Sequence, residues 1–306
     1  MKKPNFFIIG APKCGTTSMA KWLSEHPEIF IPPEKELHFF CFDFPHHDKY
    51  WKKNFDEYEK FFSKADQQHI AVGEASTHYW GSSVAIGEIL SYAPNAKFIA
   101  MLRAPHEMAV SLHEQAIWGL QEDQEDFATA WRLQIDITQG IKPPKSYKNP
   151  YLVQYAEWCN LGTKVENLLK LVPKEKCHFI FIDDMKKNPR SVYLSLLDFL
   201  NVPDDGRTKF PIYNSAKKHK SLKLARTVRA LQQLRNNIGF NPLRGMGILT
   251  SIREFNKVEK PRTPISAEMQ EELISFFRPE VRKLEQLLDR DLSHWLQSNE
   301  RKLSQQ

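Results

Sequence analysis

A short stretch near the amino terminus, "NFFIIGAPKCGTTSMAKWL" (Asn5–Leu23), holds the residues best suited by type and spacing to grip an anion. Gly10 and Gly15 keep the glycine spacing of the GxxxxGK[ST] loop that cradles nucleotide phosphates. Thr16, however, stands where that loop has its lysine, and Lys13 lies inside the loop instead. A buried strand stopping at Gly10 and a helix starting beside Thr16 would aim backbone N–H groups at one point, where the helix dipole favours negative charge. Thr16, Thr17 and Ser18 add hydroxyl donors, and Lys13 adds a full charge. Hydrogen bonds to a charged group are worth ~1.5–3 kcal/mol each, enough for a few of them to hold a phosphate. The plainer alternative is a glycine turn ending in a threonine cap.

Two further constellations carry chemical groups. "KFIAMLRAPHEMAVSLHEQ" ends an apolar run on Arg103 and opens a helix near Pro105, a favoured first-turn residue, with Ser111 further along that helix. An arginine at a strand's carboxyl end occupies the crevice where open α/β sheets bind ligands, so Arg103 and Ser111 are candidates for a second phosphate. Taken alone, they also read as a surface arginine and a solvated serine. In "PPEKELHFFCFDF", Glu36 and His38 alternate with Leu37 and Phe39, which predicts an extended segment with both polar side chains on one face. A carboxylate beside an imidazole is a candidate general base, worth ~10²–10⁴ in rate; a solvated glutamate and a core histidine are the alternative.

The elements that must position these groups alternate between strand-length apolar runs and helical patterns. Strands are predicted at Phe6–Ile9, Ile70–Gly73, Lys97–Leu102 and His178–Ile182, and helices at Ser82–Tyr92, Pro105–Trp118 and Pro189–Leu200. This alternation predicts an α/β, P-loop-like three-layer fold: a central, mostly parallel sheet flanked by helices. "QGIKPPKSYKNP" (Gln139–Pro150) reads as a Pro/Lys-rich loop. Residues 235–264, with three glycines and no clear period, read as an irregular flap or a surface excursion. Residues 266–296 place Phe277, Val281, Leu284 and Leu288 on one face, a packing helix bent near Pro279.

The 306 residues show no linker, low-complexity tract or repeat, so one domain spanning 1–306 is expected. A charged fraction of 26% and a hydrophobic fraction of 41% are those of an ordinary soluble protein. The net charge of +6 suits an anionic ligand or merely a basic surface. No nucleic-acid motif or long basic block accompanies it. No apolar run approaches the ~18 residues of a membrane span, and the apolar stretch after "MKKPN" is short for a signal peptide. Cys14, Cys41, Cys159 and Cys177 are scattered without a CxxC pair, which fits a reduced, cytoplasmic protein better than a disulfide framework or a zinc site.

Taken together, "GAPKCGTTS", "EKELHFF", "GEAS", "RAPHEMAVS", the pair Tyr151…Trp158 and the closing "RPEVRKLEQLLDRDLSHWL" resemble the sulfotransferases that use 3′-phosphoadenosine 5′-phosphosulfate (PAPS). The bacterial and heparan-sulfate-type branch is the nearest match, weakest from Phe210 to Thr263. The resemblance implies that Lys13, Cys14, Gly15, Thr16, Thr17 and Ser18 hold the 5′ end of PAPS, with Lys13 also catalytic. It places Arg103 and Ser111 at the 3′-phosphate and counts Tyr151 among the nucleotide-binding positions. Glu36 matches the general base and His38 the histidine beside it. Lys217 and Lys218, in "NSAKKHKSLKLAR", either close over the nucleotide or begin a solvated basic helix. The implied reaction needs no metal, gives adenosine 3′,5′-bisphosphate, and sulfates a hydroxyl or amine. The expected cytoplasmic location favours a small-molecule acceptor, such as a natural product, with a carbohydrate or glycolipid acceptor as the alternative. Cys41 and Ala75 depart from the heparan-type pattern on the acceptor side. The aromatics Phe39, Phe40, Phe42, Phe44, Tyr50 and Trp51 read either as packing or as an acceptor pocket.

Other classes remain as rivals. "HFIFIDD" resembles the strand and aspartate that hold magnesium in P-loop kinases, though the lysine after Gly15 is absent. "HEMAV" and "HEQAI" begin like the zinc motif HExxH but lack its second histidine, and His46–His47 reads as a surface pair. A non-catalytic nucleotide-binding module would leave Glu36 without a role.

Overall fold

The computed structural model describes residues 2–44, 54–141, 150–213, 217–237, 255, 257–259 and 264–297. The chain folds as two compact units, Met1–Ala109 with Ala156–Tyr213 and Ala267–Gln306, and Val110–Tyr155 with Asn214–Ser266.

The first unit is built on a five-stranded sheet. Its strands are β1 (Phe6–Gly10), β2 (Ile29–Phe30), β3 (Ala71–Ala75), β4 (Lys97–Leu102) and β5 (Cys177–Phe181), in the order β2-β3-β1-β4-β5. Every described pairing in it is parallel, with Ile8 opposite Ala75 on one side and Ile99 on the other. A parallel sheet covered on both faces has no wet side, which is why these strands read as unbroken apolar runs. All of β1 and β3 is buried, and Phe7 lies against Phe98 and Phe40 at ring separations of 6.2 and 6.0 Å. The two-residue β2 was not predicted; an edge strand this short has no period to read.

Helices occupy the chain between these strands. They include α1 (Thr16–Ser24), α2 (Phe55–Lys60), α3 (Ala85–Tyr92), α4 (Pro105–Trp118), α5 (Phe127–Thr138), α6 (Tyr155–Cys159) and α7 (Leu161–Leu171). After β5 come α8 (Ile182–Lys187) and α9 (Pro189–Leu200). Helix α9 starts where Asn188 accepts from Ser191 N at 3.1 Å with proline at the first turn, and it ends on Asn201 in the left-handed region (φ 58°). The strap that follows is fastened to α1: Tyr213 N donates to Ser18 Oγ at 3.0 Å and Trp22 Nε1 to Pro211 O at 3.0 Å.

In the second unit, Phe127, Trp131, Tyr155 and His113 pack together, and Tyr155 donates to the buried Glu122 carboxylate at 3.0 Å. Strand β6 (Lys217–His219) pairs antiparallel with β7 (Lys257–Glu259), and α10 (Leu222–Asn237) follows β6. Of the stretch 235–264, only 235–237, 255, 257–259 and 264 are among the described residues. Of the loop Gln139–Pro150, 142–149 lie outside the described residues.

The closing helix α11 runs Ala267–Leu288, through Pro279 without interruption, and stops at Asp289 (φ 52°) rather than continuing to 296. A short 3-10 turn, Ser293–Leu296, follows. Leu273, Phe277, Val281 and Leu284 are buried, and Thr163 of α7 donates its N–H and hydroxyl to the Glu280 carboxylate at 2.7 and 2.8 Å.

Candidate functional site

The loop after β1 is turned by residues in an unusual backbone region. Lys13 has φ 65° and Gly15 φ 89°. A side chain at Gly15 would be strained there and would also crowd Ile182 Cδ1 at 3.3 Å, so glycine is required. Lys13 has no such exemption; a left-handed non-glycine residue costs ~1–2 kcal/mol, a strain characteristic of functional turns. Ala11 N donates to Met101 O at 2.8 Å, tying the loop to β4. Helix α1 begins at Thr16 with Gly15 as its cap residue, no side-chain cap and no acidic residue in its first turn. Its first N–H groups and its dipole therefore favour an anion.

The Cys14 side chain turns inward. Its Sγ lies 3.8 Å from Met108 Sδ, and burial pushes the thiol up to about 12 despite the opposing charges of Arg103 and Lys13. Cys14 thus gives the loop its backbone, while the thiol belongs to the core. Thr16 is buried, and the Ser18 hydroxyl is bonded to the Tyr213 backbone.

Arg103 stands at the carboxyl end of β4, 8% exposed. Its Nε and a terminal nitrogen donate to Glu107 Oε2 at 2.8 and 2.6 Å. Burial raises the Glu107 pKa, but Arg103 above all, with Lys186 and His106, holds it below the ordinary value. Ser111 (1% exposed) and the half-buried Tyr151 belong to the second unit. Lys217 and Lys218 are in β6, not at the start of a helix, and their side chains lie outside the described residues.

The Glu36–His38 segment is not extended as predicted. Both residues have positive φ, 65° and 54°, so the chain coils at the end of β3. Alternation fails as a guide here because it assumes a pleated backbone, and this one is turned by bonds to β3 instead. Glu36 N donates to Ala75 O at 3.0 Å and His38 N to Ser76 Oγ at 2.9 Å. Thr77 donates its N–H and hydroxyl to Glu36 Oε2 at 2.7 and 2.9 Å, and Lys35 pairs with Oε1. The two side chains still meet, with His38 Nε2 3.7 Å from Glu36 Oε2. Burial pushes the Glu36 carboxyl up, yet Lys35, His38 and the Thr77 bonds outweigh it and hold the carboxyl below its usual range. Burial and the neighbouring His78 push His38 down to about 3, so both imidazoles are neutral at ordinary pH. The two rings stack 4.0 Å apart and 10° from parallel, and Phe44 and Trp158 approach His78 at 5.5 and 5.6 Å.

The described aromatics divide. Phe39 and Phe40 are wholly buried among Phe7, Tyr58 and Tyr79, which makes them core. Phe42 and Phe44 are half-buried, while Tyr50, Trp51 and the His46–His47 pair lie outside the described residues.

A family profile described as "Sulfotransferase domain" matches residues 3–240. The chain belongs to the sulfotransferase family. Its relatives include a membrane-associated sulfotransferase, kil1, of Dictyostelium discoideum, 29% identical over 121 residues, or 40% of this chain and 25% of that protein. Another is the bifunctional heparan sulfate N-deacetylase/N-sulfotransferase 1 of Caenorhabditis briggsae, 23% identical over 205 residues, or 66% of this chain and 23% of that protein. The chain thus spans about a quarter of each of these curated relatives. Among solved structures, a sulfotransferase from Alicyclobacillus acidocaldarius is 26% identical with a TM-score of 0.71, covering 97% of this chain and 100% of that one.

Within the sulfotransferase fold the groups that suggested other enzymes have structural partners. Asp183 accepts from Trp295 Nε1 at 2.7 Å and Asp184 from Arg290 at 2.7 Å, so both acids anchor the closing segment. His113 Nε2 lies 2.7 Å from Gln124 O. Sequence reasoning missed two residues beside the Glu36 turn. His78 stacks on His38, and Glu74 is buried under Ser76. "GEAS" and the histidine two residues beyond it were the available signal, but nothing in their spacing shows that they meet Glu36.

Proposed function

We propose that this sulfotransferase chain moves the sulfuryl group of PAPS to a hydroxyl or amine of a small acceptor. One observation carries the reading. β1 and β3 are adjacent and parallel, with Ile8 opposite Ala75, so the Lys13 loop, which follows β1, and the Glu36 turn, which is bonded to the end of β3 at Ala75 O, lie at the carboxyl ends of neighbouring strands. That is the edge where open α/β sheets place ligands.

Glu36, held ionised, takes the proton of the attacking hydroxyl or amine. As the acceptor atom bonds to sulfur, the bond from sulfur to the bridging phosphate oxygen breaks in line. The electron pair left on that oxygen meets the Lys13 ammonium and the N–H groups at the start of α1. Donors fixed in advance at a site of developing charge are usually the largest catalytic contribution. Neutral His38 gives the turn an uncharged flank. Thr16, Thr17 and Ser18 are assigned to the 5′ end of the nucleotide, Arg103, Ser111, Lys217 and Lys218 to its 3′ side, and Tyr151 to nucleotide binding in general.

The stacked neutral imidazoles and the half-buried Phe44, backed by the buried Trp158, offer a flat, uncharged surface beside Glu36. Such a surface suits a small apolar or aromatic acceptor better than a polyanion. Four free, buried cysteines suit a reducing cytoplasm. A carbohydrate acceptor is the second reading, favoured by the heparan sulfate relative.

The test is a screen of phenols, amines, alcohols and oligosaccharides with radiolabelled PAPS, using wild type, Lys13→Ala and Glu36→Gln. Labelled product from wild type alone supports the assignment. Undiminished transfer by Glu36→Gln removes that residue from the base role.

A further inference from the structure

The Glu36 turn hangs on the end of β3, and beneath it lies a carboxylate that the mechanism above does not use. Glu74 is 1% exposed and collects three hydroxyl donors. Tyr58, from α2, donates to Oε2 at 2.5 Å. Ser76 donates to Oε1 at 2.5 Å, and Tyr79 reaches both oxygens at 2.8 and 3.0 Å. Ser76 is the link to the surface, because its Oγ also accepts the His38 N–H at 2.9 Å.

A hydroxyl has one proton. While that of Ser76 points down at Glu74, its lone pairs are left facing His38 N. Should Ser76 turn to donate elsewhere, the His38 amide loses its acceptor, and the strained left-handed pair Glu36–His38 loses one of its bonds to β3. We propose that Glu74 is a positioning residue: it fixes the Ser76 hydroxyl and through it the turn that carries Glu36. This role rests on Glu36 being the base.

The arrangement makes the turn sensitive to pH. Burial pushes the Glu74 carboxyl up to about 7, against the pull of the Ser76, Tyr58 and Tyr79 bonds and with a further push from the Glu36 anion. The other titratable groups that feel Glu74 are Cys41 from the chain after the turn and Tyr92 from α3. Both are held in their neutral forms well above pH 7, as are Tyr58 and Tyr79. Glu74 is thus the member of this cluster that changes charge near neutrality. Above its pKa the anion accepts from all three hydroxyls. Below it, the carboxyl carries a proton of its own to donate, one hydroxyl must reverse, and the Ser76 lone pairs are no longer reserved for His38.

Amide exchange of the peptide Glu34–Phe40, followed by mass spectrometry at pH 6 and pH 8 and corrected for intrinsic rates, tests this without any acceptor. Wild type should protect the His38 amide at pH 8 and exchange it ~10-fold faster at pH 6, the scale of one lost hydrogen bond. Glu74→Gln, which mimics the protonated carboxyl, should exchange fast at both pH values. Ser76→Ala should do the same, and it decides the matter should Glu74→Gln not fold. Protection equal to wild type at both pH values in the folded variants would overturn the proposal. Binding of adenosine 3′,5′-bisphosphate should be unchanged in both variants. A wild-type protein that did not bind it would overturn the nucleotide assignment instead, and the exchange result would still decide Glu74.

Discussion

Lys13 and Glu36 share a backbone trait: each is a non-glycine residue held at φ 65°. Chain that could relax would not stay there, so each turn is held by its surroundings, and each presents one charged group beyond the end of a strand. Lys13→Ala should therefore leave the fold intact and slow PAPS turnover by ~10²–10³, the usual cost of losing one preorganised donor to developing charge. Single-turnover kinetics would measure it. The two carboxyls of the Glu36 region should show opposite linkage to pH. Glu36 has a lowered pKa, so its contribution to stability is present above its unfolded value and is lost as pH falls through the folded one. Glu74, raised to about 7, contributes fully below its unfolded value and loses that contribution as pH rises through 7. Replacing Glu74 by glutamine removes the cost of burying its anion. The stability of Glu74→Gln relative to wild type should then rise by roughly 2–3 kcal/mol between pH 5 and pH 8, read by denaturant unfolding. His38, pushed down to about 3, should give the pH–rate profile no limb near neutrality.

At the scale of elements, the closing helix α11 is held to α7 by the Glu280–Thr163 bonds and by a close approach at Gly162. A side chain there would meet Glu280 O at 2.5 Å and Lys283 Cβ at 2.9 Å. Gly162→Ala should force the helices apart at a cost of ~1–3 kcal/mol, visible as a lowered thermal midpoint with nucleotide affinity unchanged. Asn188→Ala should cost ~1 kcal/mol through the lost cap of α9. The same scale shows what the sequence made legible. β4, α4 and α9 were readable to the residue because an apolar run or a helical stripe met a proline, an arginine or an asparagine at its end. β1, β3 and β5 were located to within two residues. The two-residue β2 carries no pattern at all. Helices α5 and α7 were not predicted, although Leu161, Val165 and Leu168 give α7 a buried stripe, and of α10 only a basic start near Lys217 was weighed. The Glu36–His38 pair was found through a pattern that the backbone does not follow. Glu74 escaped because its importance lies in Tyr58, Tyr79 and Ser76 converging from separate elements, a fact of packing with no local signature.

At the scale of the whole molecule, the net charge of +6 and an uncapped helix start beside Lys13 define an electrostatic preference that can be tested without an acceptor. A ligand that binds the folded state alone stabilises it by ~2.7 kcal/mol at a hundred times its dissociation constant. Adenosine 3′,5′-bisphosphate should therefore raise the thermal midpoint by several degrees, and ATP with magnesium should not. A P-loop kinase would reverse that order, since Asp183 and Asp184 would then be free to serve a metal rather than tied to Trp295 and Arg290. The stabilisation should weaken as salt rises from 50 to 500 mM, because attraction between an anionic nucleotide and a chain of net charge +6 is screened over about 10 Å at 0.1 M ionic strength. It should also fall in Arg103→Ala. In the structure Glu107 occupies the Arg103 fork, so a 3′-phosphate has to share that guanidinium or displace the carboxylate. Glu107→Gln makes the competition measurable: it should strengthen binding of adenosine 3′,5′-bisphosphate relative to adenosine 5′-phosphate, which has no 3′-phosphate to present. An equal effect on both nucleotides would place Arg103 away from the 3′ position.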